Sequence, residues 1–439
     1  MPTSASVIRC PIHGSIRLSQ RELALIDSPF FQRLRSISQL GFTSYVFPGA
    51  THTRFSHSLG VLHLAGRIYD QIIQSQQESL TECYRQEQLT YFGQILRFGA
   101  LLHDVGHPPF SHAAESVLPP LSALDVPRAI IGKENRQSTH EDFSSMIIYH
   151  LAENEGLLSM EEAIDIIGLL SKQHKPSERM NSKSGYPMIY PLLRQLISGE
   201  IDSDRMDYLL RDSYFAGVPY GRFDLDRLIS SLTCCRDENL NQFLLAIDGE
   251  GVPAYEIFLL ARIHMFYQIY FHKSLGAYRH YLAKAFDEGE IDISIDGSLE
   301  NFLLNTENLW IEEFQANRDK KWSGRIHRRI PAKSLFRVLD GEIEKKTKLE
   351  NIHEILQNND IEVIISHSSN QFSTQIKNRN IDQNTVLVID EEFGKRTVTP
   401  LSEKSSLLEP VEKQIEILQL YVLRESYDQA IQLLQDHLS

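Results

Sequence analysis

The stretch LLHDVGHPPFSH, residues 101–112, decides what kind of protein this chain encodes. It begins at the end of an apolar run, ILRFGALL, and places His103, Asp104, His107 and His112 within ten residues. A His–Asp pair at the end of a helix can offer an imidazole nitrogen and a carboxylate oxygen to one metal ion. Four titratable groups beside an apolar helix are costly to bury unless a metal, a hydrogen bond or a substrate satisfies them. The stretch therefore indicates a metal centre rather than a group of structural histidines.

The composition is that of a globular protein with room for two or three domains: 439 residues, 42% hydrophobic and 23% charged. No apolar run reaches about 18 residues, and the opening MPTSASVIRCPIHG has no secretory apolar segment, so we expect a cytoplasmic protein without membrane association. The four cysteines lack zinc-ligand or disulfide spacing, which is typical of free thiols. The net charge of −14 argues against a dedicated nucleic-acid binder.

Further ligands are needed, because an open catalytic metal site combines several protein groups with positions for water. Upstream, His57 begins an apolar-periodic segment. Downstream, IDSDRMDYLLRD places Asp204, Tyr208 and Asp212 at i, i+4 and i+8, which share one face of a helix. Taken alone, this charged stretch is more typical of a solvent-exposed helix face. Together with His57 and the His–Asp pair, it completes a dispersed set of two histidines and two aspartates.

The order of these groups resembles the HD-domain metal-dependent phosphohydrolases, and within them the deoxynucleoside triphosphate triphosphohydrolases. The similarity rests on RFSHSLGV, LLHDVGHPPFSH, THE and IDSDRMDYLLRD, and extends from about Ile8 to about Lys273. It implies a mainly α protein with an all-helical HD-domain core, which we place at residues 1–290. Beyond that point the sequence changes to strand-like segments, which predicts a smaller α+β C-terminal lobe over residues 291–439.

The resemblance implies a role for each polar group of the centre. The metal ligands are then His57, His103, Asp104 and Asp204. They would hold a divalent ion, and His/Asp ligation does not choose among Mn, Mg, Fe, Ni and Zn. Arg54 becomes a phosphate contact, while His107 and His140 hold the substrate phosphate or the attacking water. His112 becomes the general acid and Glu115 its orienting carboxylate. The spacing supports that pair independently, because a carboxylate at i+3 can raise the imidazole pKa towards neutrality.

The same resemblance implies hydrolysis of a deoxynucleoside triphosphate to a deoxynucleoside and inorganic triphosphate. The substrate contacts would be Gln39, Leu40, Arg205, Tyr208, Asp212, Arg262 and Tyr270. Arg262 would bind the γ-phosphate, and Tyr270, on the same helix face eight residues later, would exclude a 2′-hydroxyl together with Leu40. Two other classes stay open: another HD phosphohydrolase (a nucleotidase, phosphodiesterase or nuclease) and a non-catalytic nucleotide sensor. The presence of His112 argues against the sensor, since a binding protein needs no acid.

Three positions match a second, regulatory nucleotide pocket of activated family members: Asp27, Arg35 and Lys333. They imply a nucleotide activator and a homo-oligomer, either a dimer or a tetramer. Asp27 has an alternative interpretation as the N-cap of a helix that begins at Ser28–Pro29. Lys333 lies in a basic segment, residues 318–337, which is also typical of a solvated surface. A nucleic-acid groove there is disfavoured, because the segment has few aromatic residues for stacking.

Hydrophobic periodicity predicts the secondary structure. The expected helices cover 20–41, 57–75, 92–106, 141–153, 160–171, 188–198, 203–215 and 254–286. Strands are predicted at IEVIIS, TVLVID and IEILQLYVL, followed by a closing helix, SYDQAIQLLQDHL.

Overall fold

The computed structural model describes residues 6–132, 135–171, 174–339, 342–375, 380–408 and 414–438. The helices are α1 (Gln20–Ile26), α2 (Pro29–Arg33), α3 (Arg54–Ser75), α4 (Gln77–Cys83), α5 (Gln86–Leu102), α6 (Arg128–Ile131), α7 (His140–Glu153), α8 (Met160–Leu170), α9 (Tyr190–Ser198), α10 (Ser203–Ala216), α11 (Leu225–Ser230), α12 (Val252–Met265), α13 (Leu275–Asp287), α14 (Leu299–Leu304), α15 (Glu307–Ala316), α16 (Lys321–His327), α17 (Ile343–Gln357), α18 (Leu401–Lys404) and α19 (Tyr427–Leu438). The strands are β1 (Ser6–Cys10), β2 (Gly14–Leu18), β3 (Leu232–Asp237), β4 (Gln242–Asp248), β5 (Lys333–Leu339), β6 (Val363–Gln371), β7 (Leu387–Glu392), β8 (Lys395–Pro400) and β9 (Gln414–Val422). In the described part of the chain, no helix combines the length and the apolar character needed to cross a lipid bilayer.

The prediction of a mainly α protein with a smaller sheet-containing C-terminal region is confirmed. The predicted helices at 57–75, 92–106, 141–153, 160–171, 188–198 and 203–215 are present, as are the three strands and the closing helix of the C-terminal region. The single helices predicted at 20–41 and 254–286 are wrong: Ser28 caps a second helix in the first, and α12 and α13 divide the second. The prediction of an all-helical core is wrong in two places, where the antiparallel hairpins β1–β2 and β3–β4 lie before residue 290. Their strands have only five to seven residues, and β4 is one continuous buried run, FLLAI, which periodicity alone does not distinguish from a buried helix segment.

One sheet joins the two sides of the expected domain boundary. Its strand order is β3-β4-β7-β8, and β4 pairs in parallel with β7, with Ile247 opposite Val388. The second sheet, of order β5-β9-β6, consists of strands from the C-terminal region. The boundary at residue 290 therefore stays a prediction, and the backbone hydrogen bonds of the first sheet run across it.

Helices α3, α5 and α10 pack around the centre of the molecule and bring their ends together. The apolar face of α5 is buried through Leu102, immediately before His103. Helix α10 approaches α3 at Gly60, where an added Cβ would lie 1.8 Å from an oxygen of Asp207. A side chain at Gly60 would therefore push the two helices apart, so glycine is required for the close packing that forms the site.

Candidate metal centre and active site

The four predicted metal ligands lie together at the ends of three helices. His57 is in the first turn of α3, Asp204 is in the first turn of α10, and His103–Asp104 directly follow α5. Nε2 of His57 lies 3.0 Å from Oδ1 of Asp204 and 3.6 Å from Oδ2 of Asp104. Nε2 of His103 lies 3.6 Å from the same Asp204 oxygen and 3.4 Å from Oδ1 of Asp104. Residues about 150 positions apart in the sequence thus converge on one point.

The ligand atoms fit a cation. The Nε2 atoms of His57 and His103 are buried and form no hydrogen bond with any described residue. Nδ1 of His103 lies 2.9 Å from the carbonyl oxygen of Ala100, so this nitrogen donates a proton and Nε2 is left as a lone pair. Burial lowers the pKa of His57, but the carboxylates of Asp204 and Asp207 outweigh burial and raise its pKa to about 10. A proton or a metal ion is therefore needed at this position, and each competes with the other.

Asp207, which the sequence analysis did not single out, holds the far side of His57. Its Oδ2 accepts a hydrogen bond from Nδ1 of His57 at 2.7 Å. Its Oδ1 lies 2.6 Å from Nε2 of His13, on the turn between β1 and β2, and Arg211 donates to both oxygens at 2.8 Å. A carboxylate behind a ligating histidine fixes its tautomer and orientation. The position of Asp207, three residues after Asp204 in α10, was the one sequence signal for this role.

Arg54 lies beside the four predicted metal ligands, and its phosphate role stays a prediction. Its guanidinium donates to the carboxylate of Asp104 and, through Nε, to Oγ of Ser111 at 2.8 Å. The hydroxyl of Ser111 in turn donates to the carbonyl oxygen of Ser38 at 2.7 Å. Burial acts to raise the pKa of Asp104, but the charges of Arg54, His103 and His107 hold it well below its usual range. Asp104 is therefore an anion that can bind a metal.

A second cluster of titratable groups adjoins the first: His107, His112, Glu115 and His140. Oε1 of Glu115 accepts hydrogen bonds from Nδ1 of His112, at 3.2 Å, and from Nδ1 of His140. The rings of His107 and His140 stack at 3.8 Å, and Nε2 of His107 lies 3.3 Å from Oδ1 of Asp104. The predicted pairing of His112 with Glu115 is present, and Glu115 orients His140 as well.

One detail of the sequence analysis is wrong. Glu115 does raise the pKa of His112, but desolvation by the cleft around the imidazole, with the charges of His140 and Arg54, outweighs it and lowers the pKa. His112 nonetheless opens to the cleft, since its side chain is 60% exposed. The sequence shows the carboxylate at i+3, which raises the pKa of His112. It does not show the surrounding residues that desolvate the imidazole or the nearby cations, which lower that pKa.

A turn with left-handed backbone conformation precedes His112 and sets the position of its side chain. Phe110 and Ser111 both adopt the left-handed conformation, with φ of 58° and 54°. The Phe110 ring stacks on Phe42 at 4.4 Å, which holds the turn in place. The backbone of Gly41 passes so close that an added Cβ would lie 2.6 Å from the Phe110 carbonyl oxygen. The 3-10 helix Ser111–Val117, which carries His112 and Glu115, begins from this turn.

Members of both clusters line one cavity of about 720 Å³: His103, Asp104 and Asp204 from the first, and His107, His112 and His140 from the second. Of the predicted substrate contacts, the cavity is lined by Gln39, Leu40, Tyr208, Asp212 and Tyr270. The hydroxyl of Tyr270 donates to Oδ2 of Asp212 at 2.7 Å, and His52, another group not predicted, lies 2.7 Å from Oδ1 through Nε2. Oε1 of Gln39 is buried without a hydrogen-bond partner among the described residues. A π-helix, Phe266–Tyr270, extends α12 and presents Tyr270 to the cavity.

Arg205 and Arg262 do not line this cavity. Arg262 is buried, and its guanidinium donates to the carbonyl oxygens of Gln371 and Phe372. Arg205 lies in a neighbouring cleft, with Nη1 donating to the carbonyl oxygen of Glu200 at 3.2 Å. These partners of Arg262 are not predictable from local sequence, because they come from a segment more than a hundred residues away in the chain. The phosphate roles of both arginines stay predictions.

The predicted regulatory residues are all exposed and lie apart from the cavity. Arg35 stacks over the ring of Phe55 at 3.6 Å and donates to Gln32. Lys333 lies on β5, 5.9 Å from the ring centre of Tyr427. Asp27 is not a helix N-cap, because Ser28 accepts the hydrogen bond from the Phe31 amide and Asp27 ends α1. The activator and the homo-oligomer that these residues imply stay predictions.

The HD-domain family model matches residues 54–212, from the arginine beside the metal ligands to the aspartate that Tyr270 binds. These residues form an HD domain. An uncharacterized protein of Methanocaldococcus jannaschii is 34% identical over 70% of this chain and 56% of its own length. A deoxynucleoside triphosphate triphosphohydrolase SAMHD1 homolog of Dictyostelium discoideum is 29% identical over 79% of this chain and 62% of its own length. The chain thus spans a little over half of the length of these two curated relatives.

A solved structure supports the whole fold. The crystal structure of a hypothetical protein from Aquifex aeolicus superposes with a TM-score of 0.73 at 29% identity, covering 98% of this chain and all of that chain. The likeness therefore includes the C-terminal region as well as the HD domain.

Proposed function

We propose that this protein hydrolyses deoxynucleoside triphosphates to a deoxynucleoside and inorganic triphosphate. The observation that carries the proposal is that three of the proposed metal ligands, His103, Asp104 and Asp204, line the same cavity as His112, which Glu115 holds through Nδ1. A nucleotide-sized cavity with convergent polar groups is the usual form of a small-molecule site. Hydrolysis of a phosphate ester needs charge neutralisation, a placed nucleophile and a protonated leaving group, and the cavity contains a candidate for each.

His57, His103, Asp104 and Asp204 would hold the metal, which when bound lowers the pKa of water and polarises phosphoryl oxygens. Arg54 is fixed by Asp104 and Ser111, so its remaining guanidinium edge can bind a phosphate oxygen without further ordering. His107 and His140 stack beside this edge and would orient the α-phosphate or the attacking water. These groups together neutralise the reacting phosphate and set its position.

His112 would donate the proton to the departing 5′-oxygen. Glu115 accepts from Nδ1 of His112, which leaves Nε2 free to point into the cavity. Without substrate, desolvation and neighbouring cations lower the pKa of His112. The negative charge of a bound triphosphate opposes that effect and favours the protonated imidazole. The acid would therefore become charged when its substrate arrives.

The sugar would lie against Tyr270 and Asp212. Tyr270 donates to Asp212, whose other oxygen contacts His52, so the carboxylate is held from both sides. A fixed carboxylate can accept a hydrogen bond from a 3′-hydroxyl, and the ring of Tyr270 leaves little room for a 2′-hydroxyl. This wall supports a deoxynucleotide over a ribonucleotide.

The test gives the purified full chain, loaded in turn with Mn²⁺, Mg²⁺, Fe²⁺, Ni²⁺ or Zn²⁺, four kinds of substrate: dNTPs, NTPs, cyclic dinucleotides and single-stranded oligonucleotides. Anion-exchange chromatography identifies the products. We expect deoxynucleoside and triphosphate from dNTPs. Release of orthophosphate or pyrophosphate alone, or shortening of oligonucleotides alone, would indicate another HD phosphohydrolase. Binding without turnover under every metal would indicate a sensor.

Two variants separate the metal from the acid. His103→Ala with Asp104→Ala is expected to remove bound metal and turnover together. His112→Ala should retain the metal but slow turnover about a hundredfold or more, as the loss of a general acid does. His437→Ala, in the exposed last turn of α19, is the control and should change neither. Full activity of the double variant would contradict the proposed function.

A further inference from the structure

The cavity wall away from the metal ligands is formed by residues that the proposed chemistry does not use. Helix α13 contributes Leu275 and Arg279, and β6 contributes the four consecutive residues His367–Asn370. Leu275 and Arg279 are one helical turn apart, so they face the cavity together. This wall comes from residues that follow the sequence region that resembles the family, which ends at about Lys273.

Strand β6 presents its edge to the cavity. Successive side chains of a strand alternate between faces, so four consecutive residues can line one cavity only if the strand edge faces it. β6 is the outer strand of the sheet β5-β9-β6 and pairs with β9. Among the described residues, no other hydrogen bond is made by the backbone of His367–Asn370. Nδ2 of Asn370 is also buried without a partner. The edge therefore offers unpaired donors and acceptors to a ligand.

Among the described residues, Arg279 is the cationic residue of the cavity that has no hydrogen-bond or ion-pair partner. Of the lysines and arginines, the cavity is lined by Arg54 and Arg279, and Arg54 is bound to Asp104 and Ser111. Arg279 forms no hydrogen bond or ion pair with any described residue, although Glu115 and Tyr421 act on it electrostatically. Arg279 is exposed and a guanidinium offers only donors, so a ligand that enters the cavity can accept hydrogen bonds from it.

The position of Arg279 points to the nucleobase rather than to the phosphates. The 3-10 helix that carries His112 packs against α13. In the proposed reaction His112 protonates the 5′-oxygen, so the nucleoside lies on this side of the cavity. Tyr270, at the expected sugar position, is followed along the same wall by Phe271, Leu275 and Arg279. A single cation among aromatic, aliphatic and neutral polar groups suits a base, whereas a triphosphate tail would call for several cations.

We propose that Arg279 and the free edge of β6 over His367–Asn370 form the nucleobase subsite of this cavity, and that the subsite favours guanine. The donor fork of arginine matches O6 and N7 of guanine, two acceptors on one edge, whereas adenine places an N6 donor beside N7. The polar edge of β6 completes the contact with donors and acceptors of its own. The inference rests on the proposed function for the position of the phosphates.

The test compares four proteins on dGTP, dATP, dCTP and dTTP: wild type, Arg279→Gln, Arg279→Lys, and Arg424→Gln as an exposed arginine outside the cavity. Arg279→Gln should lower kcat/KM for dGTP about tenfold to a hundredfold, the effect of losing a bidentate base contact. Its effect on dATP should stay within about twofold, as for a neutral surface change. Arg279→Lys keeps the charge but not the fork, so it should also lose the preference for dGTP. Circular dichroism verifies that each variant is folded.

An equal loss on all four substrates would show that Arg279 contacts phosphate, and no loss would show that it contacts nothing; either result overturns the inference. A binding experiment keeps this result separate from the reaction. Deoxyguanosine and deoxyadenosine, which carry no phosphate, are titrated into each protein and followed by saturation-transfer NMR. Suppose that no triphosphate is released from any dNTP, but deoxyguanosine binds to the wild type and not to Arg279→Gln. This result would support the guanine subsite and contradict the proposed hydrolysis. Absence of deoxyguanosine binding to the wild type overturns the subsite.

Discussion

His57 is held at Nδ1 by Asp207, while its Nε2 faces Asp204 at 3.0 Å. Asp207→Asn keeps the shape of the side chain but removes the charge that fixes this tautomer. We expect metal affinity to fall about tenfold to a hundredfold, as for other carboxylates behind ligating histidines. Isothermal titration calorimetry with Mn²⁺ measures the change. Asp165→Asn is the matched control, since Asp165 is equally buried and accepts hydrogen bonds from Tyr91 and Ser177. Equal metal affinity in the two variants would refute the role of Asp207.

His63 provides a residue-scale test of pH dependence. Burial, with the charges of His13, Arg67 and Arg97, lowers its pKa from 6.5 to about 4. The unfolded chain therefore binds a proton at His63 near pH 6.5, whereas the folded chain does not until about pH 4. The folded state is therefore most stable, with respect to this group, above pH 6.5, where His63 is neutral in both states. The free energy of unfolding decreases as the pH falls from 6.5 to about 4. Urea unfolding of His63→Gln should show a shallower decline of free energy between these two pH values than the wild type. Parallel curves would contradict the shift.

At this scale the sequence predicted groups that belong to a motif and overlooked those that depend on packing. His57, His103, Asp104 and Asp204 were found because their types and order carry chemistry. His13 was not, because its contact with Asp207 exists only when the β1–β2 hairpin lies against α10. The same holds for His52 on Asp212, across 160 positions of the chain. A local pattern cannot specify such long-range partners.

At the scale of elements, the turn before the 3-10 helix Ser111–Val117 sets the position of the acid. Gly41→Ala would add a left-handed alanine, which costs about 1–2 kcal/mol, and a clash with the Phe110 carbonyl oxygen. Gly217→Ala is the matched control, since Gly217 has φ of +72° but an added Cβ there would meet nothing within 4 Å. We expect both variants to lose stability in urea, Gly41→Ala by the larger amount, and Gly41→Ala alone to lose turnover. Equal effects on stability and turnover would show that the turn tolerates the displacement.

The length and the hydrogen-bond register of an element decide whether the sequence predicts it. Helices such as α3 and α5 repeat an apolar face over many turns, so their periodicity is strong. The π-helix Phe266–Tyr270 was not predicted, because its residues continue the apolar pattern of α12 and differ only in hydrogen-bond register. Short π-helical segments are frequent at functional sites, and this one carries Tyr270, whose hydroxyl donates to Asp212.

At the scale of the whole molecule, the C-terminal region is tied to the site through buried polar groups. Glu307 accepts hydrogen bonds from the amide and hydroxyl of Ser38 and from the amide of Phe110. Arg33 donates to the carbonyl oxygens of Asn305 and His107, and burial lowers its pKa to about 9. Breaking either contact would leave a buried polar group unpaired, so the region beyond residue 290 supports the loop of His107 and the turn before His112.

This coupling predicts how the molecule unfolds. Both tryptophans of the chain, Trp310 and Trp322, lie beyond residue 290 and are fully buried in a hydrophobic cluster that also contains Phe42 and Phe110. Far-UV circular dichroism, in contrast, reports mainly the helices before that residue. Because a shared sheet and a shared core link the two regions, tryptophan fluorescence and circular dichroism should give coincident urea transitions. A fluorescence transition at distinctly lower urea concentration would instead mean that residues 291–439 unfold as an independent lobe.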